Sequence, residues 1–128
     1  MEALVNYTLI TNEISLVRNN ISGESFTVDP KLHRKIDSLD DSKIAVTYEL
    51  DIKNTDDHPF PLDIKVSLTG VFDISKLEKE KVDDFIKIQT CQILFPQIRT
   101  IVASLTSSAF VQPILLPIVD ARKLLSDN

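Results

Sequence analysis

Residues 92–119, QILFPQIRTIVASLTSSAFVQPILLPIV, constrain this chain more tightly than any other stretch, because Arg99 is their only charged side chain. Pro96, Pro113 and Pro117 interrupt the run. No window here or elsewhere approaches the roughly 18 uninterrupted apolar residues that a bilayer-crossing helix needs, so direct membrane insertion is not expected. Yet this much apolar surface does not stay in water on a soluble monomer. Something must cover it: the chain's own sheet, further copies of the chain, or a partner.

Bulk properties narrow the choice. The 128 residues are expected to form one domain, 1–128, whose core needs neither disulfides nor a structural metal. A net charge of −5 argues against nucleic acid, which is held by clustered Lys and Arg. No basic run or helix-turn-helix pattern reverses that. Cys91 is the single cysteine, which excludes an internal disulfide and fits a reducing compartment. The opening MEALVNYTLITNEISLV lacks a basic n-region, a continuous apolar core and a cleavage site. The expectation is therefore a cytoplasmic protein, in which the sequons at Asn6 and Asn20 are chance matches.

The first half reads as strands. IAVTYELDIK puts Ile44, Val46, Tyr48, Leu50 and Ile52 on one side and Ala45, Thr47, Glu49, Asp51 and Lys53 on the other. NTDDHPFP, 54–61, supplies a turn, and LDIKVSLTGVFDI resumes the alternation with Ile64, Val66, Leu68 and Phe72. Two half-buried strands joined by a short polar loop make an antiparallel hairpin. YTLITNEISLV and FTVDPKLHRKID read as two further strands, with Asp29-Pro30 marking a bend or an edge in the second.

The second half reads as helices. SKLE, 75–78, matches a capping box, followed by Leu77, Val82, Phe85 and Ile86 at helical spacing. The main helix is expected to start at Phe95-Pro96, where a missing N–H costs nothing in the first turn. Leu94, Ile98, Ile101, Val102 and Leu105 form its apolar stripe. So few charges on any face predict a helix buried nearly all round, with that stripe as an interface between subunits.

Catalytic chemistry is not apparent. His33 falls in a strand and His58 in a loop beside Asp56 and Asp57, with no second ligand motif for a metal. Cys91 lies in charge-poor surroundings, where a thiol packs as a small hydrophobe. Two glycines, Gly23 and Gly70, leave no phosphate-cradling loop. Asp40-Asp41 and Asp83-Asp84 supply carboxylates that nothing positions for acid–base work. The expectation is no enzyme, no metal and no cofactor.

Against this background, ILFPQIRTIVASLTSSAFVQPILLP resembles the core of the SecB export-chaperone family. Ile93, Leu94, Phe95, Pro96 and Arg99 match that family's helix start, and Phe110 and Pro117 its crossover loop. TGVFDI, 69–74, resembles the end of its fourth strand, and YTLITNEIS, 7–15, its first. The resemblance implies an α+β fold: a four-stranded antiparallel sheet packed with a long helix and a short C-terminal helix, assembled as a dimer of dimers. It implies an ATP-independent chaperone that holds unfolded polypeptides in apolar grooves. Acidic rims would keep such a complex soluble.

The groove can be assigned to residues. Pro113 and Pro117 bracket Ile114, Leu115 and Leu116, which prevents a helix from burying them. These three, with Phe110 and with Leu124 and Leu125 on the last helix, are expected to bind the client, and Leu32 and Ile36 on the second strand form the opposite wall. The chain departs from the family where Ser107-Ser108-Ala109 replaces a glycine cap, and where Val119 and Asp120 follow Pro117. Glu13 matches an acidic position at which the family docks the translocase motor, but the corresponding part of the third strand offers Lys65, which argues against that docking. Two other roles remain open: a chaperone dedicated to one partner such as an antitoxin, and an oligomeric adaptor that merely shares the fold.

Overall fold

The alternation of the first half becomes a sheet because each strand has one apolar face to bury. A computed structural model describes residues 5–19 and 28–109 in full and 125–127 as backbone. Its strands are β1 (Tyr7–Arg18), β2 (Lys31–Ser38), β3 (Lys43–Ile52), β4 (Leu62–Asp73) and a short β5 (Leu125–Asp127), ordered β1-β4-β3-β2-β5. β2, β3 and β4 form an antiparallel meander, and β1 returns antiparallel beside β4. β5 joins the far edge, parallel to β2.

The turns are fixed by carboxylates. Between β2 and β3, Asp40 Oδ1 accepts bonds from the Ser42 N–H at 2.8 Å and the Ser42 hydroxyl at 3.0 Å. Between β3 and β4, Asp63 Oδ1 accepts from the Asn54 N–H and from Asn19 Nδ2, both at 2.9 Å. These local bonds replace the ladder where the chain reverses. Pro30, which has no N–H to give a ladder, stands just before β2, which starts at Lys31.

The capping box does not form. The Ser75 N–H instead donates to Asp73 Oδ1 at 2.9 Å, which holds residues 75–77 in a turn at the end of β4. Helix α1 begins later, at Lys79, and covers Lys79–Asp84. A π turn follows at Phe85–Gln89, then α2 at Thr90–Ser108, so the helical backbone runs on from Lys79 to Ser108. Pro96 thus lies inside α2 and does not start it. The wider π turn sets the Thr90 N–H on the Phe85 carbonyl, which brings Phe85 onto the face continued by Cys91, Leu94, Ile98 and Val102.

That face packs on the inner side of β3 and β4. Val46, Tyr48, Leu50 and Ile52 meet Leu62, Ile64, Val66 and Phe72 in one buried cluster closed by the helix. Phe72 is the aromatic hub, 5.5 Å and edge-on to Phe85 and 5.7 Å from Tyr7. Gly70 makes this possible: a Cβ there would stand 2.6 Å from the Phe72 ring.

Opposite this face, α2 exposes Gln92, Pro96, Gln97, Thr100 and Ser104. Within one chain the helix is therefore two-sided, with uncharged polar residues outward, and not buried all round. It also ends without a left-handed cap, since Ala109 has φ −83°. Arg18, at the end of β1, donates from Nη2 to the Ala109 carbonyl at 2.5 Å and places a cation where the helix dipole is negative.

Candidate functional site

The expected client groove has β2 as one wall, and the register shows what that wall offers. Leu32 stands opposite Leu50 and Ile36 opposite Val46, so both face the core side of the sheet. Leu32 is only 2% exposed, because it sits where that face is already covered by the chain's own core. As a surface residue of β2 it is therefore corrected: Leu32 belongs to the core. Ile36, near the end of the strand, is 43% exposed and does present a surface.

The other wall is not all in view. Phe110, Ile114, Leu115, Leu116 and Leu124 lie outside the described residues, as does most of the expected C-terminal helix. Leu125 belongs to a strand, not to a helix, at the register position of Leu32 on β2. A short sequence such as LSD carries no period that separates the two states.

Behind the β2 wall lies a buried polar cluster that holds β2 to the helix. Arg34 is 6% exposed and donates from Nη1 to the Lys87 carbonyl in the π turn at 3.4 Å. The Tyr48 hydroxyl lies 3.3 Å from Thr90 Oγ1, and the Thr90 hydroxyl in turn donates to the Ile86 carbonyl. Burial pushes the Tyr48 hydroxyl well above the usual phenol pKa, so it stays protonated at neutral pH. Cys91 packs beside it, 1% exposed. These groups tie β2 and β3 to the π turn, and both histidines lie elsewhere: His33 on the outer face of β2, and His58 in the β3–β4 loop with Nε2 3.9 Å from Asp29. Among the described residues, no three His, Cys, Asp or Glu side chains converge as a metal site.

The stripe expected between subunits divides. Leu94, Ile98 and Val102 are fully buried against the sheet of their own chain, which corrects their place to the core. The reason is the helix phase: the residues spaced three or four apart that look like an exposed seam are the ones the sheet needs. Ile101 and Leu105 flank them and are half-buried.

Sequence reasoning missed the apolar edge of β1. Tyr7, Leu9, Ile10, Ile14 and Val17 are each 39–55% exposed. A bulge between Thr11 and Glu13 divides them between the two faces of the sheet. Leu9 faces Gly70 before it and Ile14 faces Val66 after it, so residues of opposite sequence parity share the core side of the sheet. Ile10 and Val17 are left on the outer side. Asn12 secures the bulge, donating from Nδ2 to Thr69 Oγ1 at 2.7 Å and Ser67 Oγ at 3.3 Å. The available signal was the apolar residues of YTLITNEISLV changing phase at the polar TNE.

Glu13 sits on the outer face opposite Ser67. Lys65, which belongs to β4 and not to the third strand, is 3.3 Å from Glu49. Its ammonium is held above the ordinary lysine pKa by Glu49 first, then by the charges of Asp51 and Glu13. Lys65 is thus ringed by carboxylates on an outer face that also carries Lys31 and Lys35 of β2. Nearby, Asp29, Lys31, His33, Asp51, Lys53 and Thr55 line an open hollow of about 200 Å³ of mixed charge.

Three comparisons bear on this arrangement. A family model described as preprotein translocase subunit SecB matches residues 15–128. An uncharacterized protein of Methanocaldococcus jannaschii is 27% identical over 67 residues, which are 52% of this chain and 43% of that protein. The match thus spans less than half of that relative. Among solved structures, Mycobacterium tuberculosis Rv1957, a SecB-like chaperone in complex with a ChAD peptide from the Rv1956 HigA1 antitoxin, aligns over 91% of both chains. Its TM-score is 0.73 at 16% identity, a likeness of fold.

Proposed function

This chain belongs to the SecB family, and on that premise we propose that it is an ATP-independent holdase that keeps unfolded or partly folded polypeptides in an apolar groove. The observation that carries the proposal is the apolar surface the fold leaves in water. Ile36 stands at the open end of β2, and β1 exposes apolar residues on both of its faces. Exposed apolar surface of that kind binds other chains, a client at β2 and further copies of this chain at β1. Ile114, Leu115 and Leu116, with Phe110 and Leu124, complete the groove in this proposal, and Leu125 is left out of it because its strand pairs with β2. Each fully buried Leu or Ile contributes roughly 1.5–3 kcal/mol, so a few can hold a segment of no fixed sequence.

The chain works in this reading as one domain in the cytoplasm, without enzyme chemistry or cofactor. Among the described residues, no helix is long and apolar enough to cross a membrane. Four copies assemble as a dimer of dimers, covering Ile101, Leu105 and the uncharged outer face of α2 at one contact and the apolar edge of β1 at another. Lys65 among the carboxylates of the outer face weakens the case for docking on the translocase motor through Glu13. A chaperone dedicated to one partner is the second reading, favoured by the antitoxin peptide held by the Mycobacterium tuberculosis neighbour.

Aggregation of a slow-folding protein tests the proposal. The parent chain should suppress it without nucleotide, and Leu115→Ser combined with Leu116→Ser should abolish suppression while leaving the oligomer intact. Full suppression by the double variant would refute the groove. Failure of the parent against unrelated substrates, with protection of a partner encoded beside it, would favour the dedicated form.

A further inference from the structure

β2 is the far edge of the antiparallel sheet, and its edge is already in use. Leu32, His33 and Arg34 pair in parallel with Leu125, Ser126 and Asp127. The other half of the strand, Lys35–Ser38, has no partner on that edge among the described residues, although β3 pairs with β2 along its whole length. Ile36, the exposed residue of the proposed groove, lies on this open half, one step beyond the last residue that β5 covers on the same face. The chain's own strand and the wall of the groove are therefore contiguous on one edge.

We infer that β5 is a built-in competitor: it occupies the β2 edge in the resting chain and must leave before a client can lie along the whole of that edge. This rests on the chaperone reading above and specifies how that same site is regulated. β5 suits the role. It spans three residues and pairs in parallel, the less stable arrangement per residue, on a single neighbour. An extended client with apolar residues at alternate positions could match the same backbone groups over twice the length and also reach Ile36. Displacement then exchanges a short ladder for a longer one. Resting occupancy lowers the apparent affinity by the fraction of chains whose edge is free, a cost that a weak or folded client cannot overcome.

The test compares three proteins: the full chain, a chain ending at Leu124, and the full chain carrying Leu125→Pro with Ser126→Pro. Successive strand amides point to opposite sides, so the double variant removes whichever N–H faces β2. The probe is fluorescently labelled, reduced and carboxymethylated lactalbumin, a permanently unfolded polypeptide, titrated by anisotropy. Hydrogen exchange across residues 31–38 is read in the same samples without probe. Both altered chains should lose protection over Leu32–Arg34 and bind the probe at least about threefold tighter, the factor expected if β5 leaves the edge free in a third of chains or fewer. Unchanged protection would overturn the inference, because β5 would not be on the edge. Lost protection with unchanged affinity would also overturn it, while leaving the chaperone reading standing. No binding by any of the three would overturn the chaperone reading and the inference with it.

Discussion

Gly70 and Phe72 lie two residues apart on the inner face of β4, and their coupling can be measured. A Cβ at position 70 would lie 2.6 Å from Phe72 Cε2 and 2.7 Å from Cζ. The ring cannot simply swing aside, because Phe72 is fully buried with Phe85 on one flank and Tyr7 on another. Gly70→Ala should therefore cost about 1–3 kcal/mol as an overpacking defect. Phe72→Leu removes the colliding ring atoms and the two aromatic contacts, at a cost below the 3–5 kcal/mol typical of Phe→Ala. In that background the methyl at position 70 meets no ring, and stiffening the unfolded chain is worth about 0.4–1 kcal/mol in its favour. The double variant should then be at least as stable as Phe72→Leu alone, giving a coupling energy of about 1–3 kcal/mol. Urea unfolding followed by far-ultraviolet circular dichroism on all four proteins closes the cycle. Additive effects within about 0.5 kcal/mol would show that the ring does not lie over Gly70 and would refute this packing of β4.

Ile98→Asp should abolish folding, since it places an unpaired charge in the core, whereas Ile101→Asp should leave circular dichroism native and shift light scattering toward smaller species. Arg18→Ala should destabilise the chain by about 0.5–1 kcal/mol in urea by uncovering the Ala109 carbonyl at the end of α2. Asp40, Asp63 and Asp73 are held below the ordinary carboxyl value of 3.8 by bonds from Ser42, Asn54 and Ser75 respectively. Folded values below the unfolded one mean stability that is complete above about pH 4 and lost as pH falls through the folded values, so the urea midpoint should drop below pH 4 and Asp63→Asn should flatten part of that slope.

How much of this was legible in sequence varied by element. β3 and β4 were, because both faces of each strand differ in polarity and the residues at 44–52 and 64–72 keep strict period two. β1 was legible as a strand but not in its faces, because the bulge at Asn12 changes the parity midway, and period-two reasoning carries no term for an inserted residue. The helix was legible, but its start was not: Pro96 invited a boundary that the continuous backbone from Lys79 does not respect, and the π turn has no compositional signature. The split of the α2 stripe was hidden because a core face and a subunit seam share one spacing. Arg34 was missed for a plainer reason. In KLHRKID it reads as a surface cation, and its burial depends on partners distant in sequence, among them the Lys87 carbonyl of the π turn. Leu125 needed the β2 edge, a long-range partner, to become a strand.

The most direct test of the account is the heat of binding a permanently unfolded polypeptide to the parent chain at several temperatures, with no nucleotide present. Client capture in an apolar groove removes nonpolar surface from water on both partners, which gives a negative heat-capacity change. The account predicts saturable binding with a clearly negative value, reduced in Ile36→Ser. No binding of the unfolded chain, or binding whose enthalpy does not vary with temperature, would contradict it.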